Sequence, residues 1–281
     1  MRTIRTVAQM RAWLGNARAE GRTVALVPTM GAFHAGHHAL IRAARAACDA
    51  VVVSLFVNPA QFDEADDLAA YPRTEERDAA DAARLGVDVL FAPSAQEMYP
   101  EGFATSVRVH GLGDVLEGAE RGPGHFAGVC TVVAKLFNVV GPDAAFFGQK
   151  DAQQVAVLRR MAADLDLPVR LHVVPTVREP DGLAMSSRNG RLDAVQRRRA
   201  VALAESLRAA EAAVREGERD AERLRAAAEA ALAAREVRPE YLALVDPDTF
   251  RPVPTVNGRV LVAVAARLGD TRLIDNVLIE T

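Results

Sequence analysis

Lysine is almost absent from this chain. Of 34 basic residues only Lys135 and Lys150 are lysine, so 34 − 2 = 32 are arginine. Arginine therefore fills the generic surface-cation role, and a lysine inside a polar motif marks a place where a compact point charge is wanted. Cysteine is just as scarce. Cys48 and Cys130 lie in apolar or alanine-rich surroundings, which argues against a structural disulfide and predicts two small buried hydrophobes in a reducing compartment. A net charge of −3 lacks the basic excess of a general nucleic-acid binder. No apolar run approaches the ~18 residues of a membrane span, and Met1-Arg2-Thr3-Ile4-Arg5 does not read as a secretory signal. The dinucleotide G-x-G-x-x-G, the Walker G-x-x-x-x-G-K-[ST] and the zinc H-E-x-x-H signatures are missing too. The expectation is a cytoplasmic enzyme with neither a nucleic-acid nor a membrane partner.

What is present is a strand–helix alternation. The chain has 281 residues, half of them hydrophobic, enough for one large or two modest domains. Apolar runs at 24–27, 50–57, 88–91, 144–147 and 169–174 read as strands. Helical patterns at 37–47, 74–85, 129–139 and 153–165 separate them. Continuous apolar strands alternating with helices predict an α/β fold with a doubly wound parallel sheet, whose ligands bind beyond the carboxyl ends of the strands. From about Asp193 the composition turns to Ala, Arg, Glu and Leu, giving two helices broken at Gly217. Strands at 241–245 and 260–265 follow. The expected division is a first domain over 1–176 and a smaller C-terminal α+β domain over 177–281.

The polar motifs fall where such a sheet places its ligands. Pro28-Thr29-Met30-Gly31-Ala32-Phe33-His34-Ala35-Gly36-His37 joins the first long strand to its helix. His34 and His37 are three apart, on one helix face, beside main-chain N–H groups that favour anions. The pair fits a phosphate site; half a metal site and two incidental histidines are the other readings. Gly148-Gln149-Lys150-Asp151 also stands between strand and helix, and is either a phosphate-facing lysine turn or a plain Asp-capped turn. Met185-Ser186-Ser187-Arg188 offers hydroxyls and a guanidinium to a polyphosphate, or is an ordinary polar turn. Gln61 and Gln154 carry amides able to hold hydroxyl and carboxylate groups, although Gln154 in its helix could equally face solvent. Gly122–Val129 reads as a glycine-rich loop with His125 at a helix start, a binding loop or a capped turn. Lys135, inside an apolar helix, reads as a snorkelling side chain.

Together these motifs, with Asn58-Pro59-Ala60-Gln61-Phe62, Tyr71-Pro72-Arg73, Gly124-His125-Phe126 and Phe147-Gly148-Gln149-Lys150-Asp151-Ala152-Gln153-Gln154, resemble those of the pantoate–β-alanine ligases (pantothenate synthetases). The order is kept across the whole chain. The resemblance implies membership of the H-x-G-H nucleotidyltransferase group and a Rossmann-like fold. It implies that pantoate is activated by ATP to pantoyl adenylate with loss of pyrophosphate, and that β-alanine then displaces AMP. Mg²⁺ accompanies the ATP, with its protein ligands left open, and a homodimer is expected. By resemblance, Met30, Gly31, Ala32, Phe33, His34, Ala35, Gly36 and His37 line the ATP site, with Gly148, Gln149, Lys150, Asp151, Val177, Met185, Ser186, Ser187 and Arg188. His37 donates a proton, and His34 and Lys150 share the phosphate charge. Gln61 and Gln154 bind pantoate; Gln61, Tyr71 and His125 lie near β-alanine. Three departures stand out: Phe33 for the usual Leu, Ala35 for a polar or acidic residue, and Gln149 for a frequent Glu. Ala184 occupies the leading-lysine position of the wider group's K-M-S-K-S loop, which puts the phosphate charge on Lys150. A transferase acting on phosphopantetheine and a non-catalytic nucleotide-binding module are the competing readings.

Overall fold

The computed structural model describes residues 1–62, 68–69 and 71–281. The chain forms two compact units, Met1–Gly148 with Gln153–Val174, and Gln149–Ala152 with Pro175–Thr281.

The first unit is built on a six-stranded sheet. Its strands are β1 (Arg2–Ile4), β2 (Val24–Thr29), β3 (Ala50–Leu55), β4 (Val89–Phe91), β5 (Ala144–Gly148) and β6 (Arg170–Val174). Their order is β1-β4-β3-β2-β5-β6, and every pairing is parallel. The chain steps outward from β2 through β3 to β4, then returns past β2 to β5 and β6. The direction of winding therefore reverses between β2 and β5, which pair at Ala25–Ala144 and Leu26–Ala145. Such a switch point opens a crevice at the strand carboxyl ends.

Period-two alternation sorts the strand side chains into two cores. Val24, Leu26, Val52 and Phe91 join Met10 of α1 (Val7–Ala19) and Val133 and Phe137 of α6 (Gly124–Val140). Ala25, Val27, Val51, Val53 and Phe146 face the other way, onto Ile41 and Ala44 of α2 (Ala35–Ala47) and Ala82 of α3 (Glu75–Arg84). Both faces are covered, which is why these strands read as unbroken apolar runs. Short helices α4 (Ala95–Met98) and α5 (Glu117–Arg121) fill the β4–α6 connection, and α7 (Ala152–Asp164) precedes β6. Cys48 and Cys130 are free and buried, and burial pushes the Cys130 thiol up to about 12.

One expectation is refined at α6. The helix starts at Gly124, as the helix start read at His125 anticipates, so Gly124–Gly128 belong to it while Gly122 and Pro123 precede it. Glycine disfavours helix interiors, but Gly128 is required here: a Cβ on it would lie 2.1 Å from the Ala60 carbonyl oxygen. The close approach overrides propensity. The smaller unit packs α8 (Ala194–Arg215) and α9 (Ala221–Ala233) on an antiparallel sheet of β7 (Pro239–Val245), β8 (Arg259–Leu268) and β9 (Thr271–Glu280), in that order. Leu203, Leu207, Leu224 and Leu232 meet Val260, Val262 and Val264 in its core.

Candidate active site

The H-x-G-H motif sits at the carboxyl end of β2 and opens α2. Gly31 (φ 91°) and Ala32 (φ 53°) both adopt left-handed backbone, reversing the chain between strand and helix. Ala32 is strained there and needs an external restraint. Asp78 supplies it. This buried α3 carboxylate accepts the Ala32 N–H at 2.9 Å, the Phe33 N–H at 2.8 Å and the Thr74 hydroxyl at 3.0 Å. A Cβ on Gly31 would lie 3.0 Å from Asp78 Oδ2, so glycine serves both conformation and space.

His34 is the N-cap of α2. Its Nδ1 accepts the Gly36 N–H at 3.1 Å, and His37 Nδ1 accepts the His34 N–H at 3.3 Å. An acceptor Nδ1 assigns the ring proton of a neutral imidazole to Nε2. The two ring centroids are 4.2 Å apart, and Phe33, itself buried, lies 5.3 Å from His37. The motif therefore serves two purposes: the Nδ1 atoms accept main-chain N–H groups at the start of the helix, and the Nε2 atoms carry the donor protons beside its N-terminus.

A second cluster lies in the same unit. Asn58 caps a 3-10 turn at Pro59–Gln61. Its amide donates to Gln61 Oε1 and to the Gly128 carbonyl, both at 3.1 Å, and its own oxygen accepts the Tyr99 hydroxyl at 2.7 Å. Burial pushes that tyrosine up to about 12. Gln61 Nε2 is 3.1 Å from Met30 Sδ, and the Gln61 carbonyl oxygen is 2.9 Å from His125 Nδ1. Tyr71 is buried and edge-on to Phe62, 5.8 Å between centroids. Met30, Gln61 and His125 are thus brought together. Gln154 is half-buried on α7; its neighbour Gln153 is the committed one, accepting the Glu117 N–H and donating to the Leu112 and Val115 carbonyls. Gly148 ends β5 with no atom within 4 Å of the place a Cβ would take.

The remaining predicted residues belong to the second unit. Met185 N–H donates to the Val177 carbonyl at 2.9 Å, closing a tight strand pair bridged at Arg178–Ala184. Ser186 caps the turn Ser187–Arg191 by accepting the Arg188 N–H at 3.2 Å. Gln149–Asp151 is a 3-10 turn, in which Lys150 Nζ stands 3.5 Å from Asp151 Oδ1. Arg178 grips Asp275 of β9 in a two-point contact at 2.6 and 3.0 Å. Burial raises the Asp275 carboxyl, and the guanidinium pulls against it.

The chain matches the family model of the pantoate-beta-alanine ligases over residues 2–278. It belongs to that family. A pantothenate synthetase of Moorella thermoacetica is 51% identical over 281 residues, covering 100% of this chain and 99% of that one. A pantothenate synthetase structure from Thermus thermophilus superposes with a TM-score of 0.94 at 49% identity, covering 99% of each chain. A pantoate-beta-alanine ligase of Francisella tularensis, solved with beta-gamma ATP and beta-alanine, gives 0.82 at 33% identity, over 99% of this chain and 97% of that one. The ligase family fits the doubly wound sheet read from sequence.

Sequence reasoning missed three residues that organise this ligase. Asp78 was hidden in an acidic helix start, though its spacing to Asp81 and Ala82 puts two acids on the buried face. Tyr99 carried no motif. Asn276 lies in β9, 126 and 127 positions along the chain from the two residues whose carbonyls it holds.

Proposed function

We propose that this ligase joins pantoate to β-alanine through pantoyl adenylate, with the first step carried out at the N-terminus of α2. The paired imidazoles at the switch-point strand carry this reading. In the first step a pantoate carboxylate oxygen bonds to the α-phosphorus, the Pα–O bond to the β-phosphate breaks, and pyrophosphate leaves. Negative charge builds on the α-phosphate and the departing pyrophosphate. The α2 N–H groups and the Nε2–H donors of His34 and His37 stabilise it, and Lys150 adds a point charge. His37 donates its Nε2–H hydrogen bond to the leaving oxygen and stabilises the charge that builds there. In the second step the β-alanine nitrogen bonds to the acyl carbon, loses a proton, and AMP leaves.

Gln61 and Gln154 hold pantoate, with Gln61, Tyr71 and His125 beside β-alanine. Met30–His37, Gly148–Asp151, Val177 and Met185–Arg188 hold the nucleotide. Among the described residues no group of three or more His, Cys, Asp or Glu could hold a metal. Mg²⁺ is expected to arrive on the nucleotide's phosphates. No helix of the described residues is long and apolar enough to cross a membrane. Family resemblance carries the further expectation of a cytoplasmic homodimer.

The test is exchange of labelled pyrophosphate into ATP without β-alanine. Exchange should require pantoate, and adding β-alanine should yield pantothenate and AMP in equal amounts. Exchange that proceeds equally without pantoate would overturn the reading.

A further inference from the structure

Lys150 sits on a turn that the second unit holds by its main chain. Asn276, buried on β9, donates through Nδ2 to the Gln149 carbonyl at 3.0 Å and to the Lys150 carbonyl at 2.8 Å. Its oxygen accepts Gln149 Nε2 at 3.0 Å. Both amide hydrogens and the amide oxygen are therefore committed to one turn. Only an asparagine-like group matches that pattern: aspartate would set a carboxylate against two carbonyls, and an apolar side chain would leave both unpaired. The amide is itself fixed. The Asn276 N–H donates to Asp275 Oδ1 at 2.8 Å, and Asp275 is gripped by Arg178. Against this, among the described residues Lys150 Nζ has one long hydrogen-bond contact, to Asp151, and its charge also acts on the buried Asp275 carboxyl. The lysine is set by where its backbone is held, not by a tight ion pair.

We infer that Asn276 is a positioning residue for Lys150, holding the Gln149–Lys150 turn so that the ammonium is presented to the triphosphate in one place. The inference rests on the proposed role of Lys150 as the phosphate's point charge. A misplaced charge loses most of its value in phosphoryl chemistry, because preorganisation supplies the stabilisation.

The test compares Asn276→Ala, Asn276→Ser, Lys150→Ala and the double variant Lys150→Ala/Asn276→Ala in the full chain. The readout is pantoate-dependent pyrophosphate exchange, with thermal midpoints measured alongside. Asn276→Ala should lower exchange about tenfold or more. Asn276→Ser, which keeps one donor, should lose less, and it carries the comparison if the alanine variant does not fold. The double variant should be no slower than Lys150→Ala, because without the ammonium there is nothing left to position. A merely structural role predicts the opposite: the same fold-loss in both backgrounds, and that result would overturn the inference. So would exchange by Asn276→Ala and Asn276→Ser within threefold of wild type while Lys150→Ala is impaired. If Lys150→Ala is itself within a few-fold of wild type, the role of Lys150 fails and the inference with it.

Discussion

His37 accepts the main-chain N–H of His34 through Nδ1, so the second histidine of the motif caps the helix that the first one starts. The ring is thereby anchored through Nδ1, which assigns its donor proton to Nε2. Replacement by Gln, whose Nε2 approximates the imidazole Nε2, should keep more adenylate formation than replacement by Asn, whose amide reaches only as far as Nδ1. His37→Ala should lose about 10²–10³-fold, the range for removing one preorganised donor to developing negative charge. Single-turnover formation of pantoyl adenylate measures all three; an Asn variant equal to or faster than the Gln variant would disprove the assignment of Nε2.

Asp78 restrains the strained Ala32 and its neighbour from α3. Asp78→Asn exchanges one acceptor for a donor facing an N–H, and should destabilise the protein by about 1–3 kcal/mol. The expected kinetic effect is a fall in kcat of the adenylation half-reaction with little change in the KM for β-alanine. Urea unfolding and half-reaction kinetics check both parts. Loss of stability with unaltered adenylation would show that Asp78 supports the fold but not the motif.

Gly128 lets α6 approach the turn that carries Gln61. In Gly128→Ala the added methyl meets main chain, not a flexible side chain, so helix or turn must move. Overpacking of this kind destabilises by about 1–3 kcal/mol. Because Asn58 also bonds the Gly128 carbonyl, the shift should reach Gln61 and raise the KM for pantoate more than that for ATP. Equal rises in both would mean that the turn does not select pantoate.

Asp143 accepts Arg18 Nη1 at 2.6 Å and the Val24 N–H at 2.7 Å at the foot of β2. Burial alone would raise its carboxyl, but these partners outweigh burial and hold it below the ordinary value. A depressed carboxyl stabilises the fold above its unfolded value, near pH 4, and that contribution is lost as pH falls through the folded value. Asp143→Asn should therefore be less stable than wild type at pH 7 by about 1 kcal/mol, a figure trimmed by the pair's partial exposure. The gap should shrink below about pH 4. Thermal unfolding between pH 3 and 7 measures it, and a gap that is flat with pH would rule the linkage out.

Legibility in the sequence followed burial. β2 and β3 are enclosed on both faces, so their apolar runs announce them, and the motifs at strand ends follow from the same alternation. β1 and α1 were not read, because a three-residue edge strand and a helix with only Met10 and Ala17 fully buried leave a faint pattern. At the start of α6 the glycines read as a loop leading into the helix, whereas Gly128 lies inside it because the Ala60 carbonyl of another segment leaves no room for a Cβ. Motif residues such as His34 and His37 were legible because their work is local. Asn276 was not, since its partner Gln149 lies 127 positions away and only the folded chain joins them. Asp78 stands between these cases, with a helical period that hints at burial but no sign of what it holds.

The membership of Gln149–Ala152 in the second unit has a consequence for dissecting the protein. The backbone passes from one unit to the other at 148/149, at 152/153 and again at 174/175. No single cut yields either unit as an unbroken piece. A fragment beginning at Pro175 would carry β9 but not the turn its asparagine grips, leaving a buried amide with no partner. A fragment ending at Val174 would keep Lys150 but not its anchor. The two units interleave along the chain, so neither corresponds to one continuous stretch of sequence.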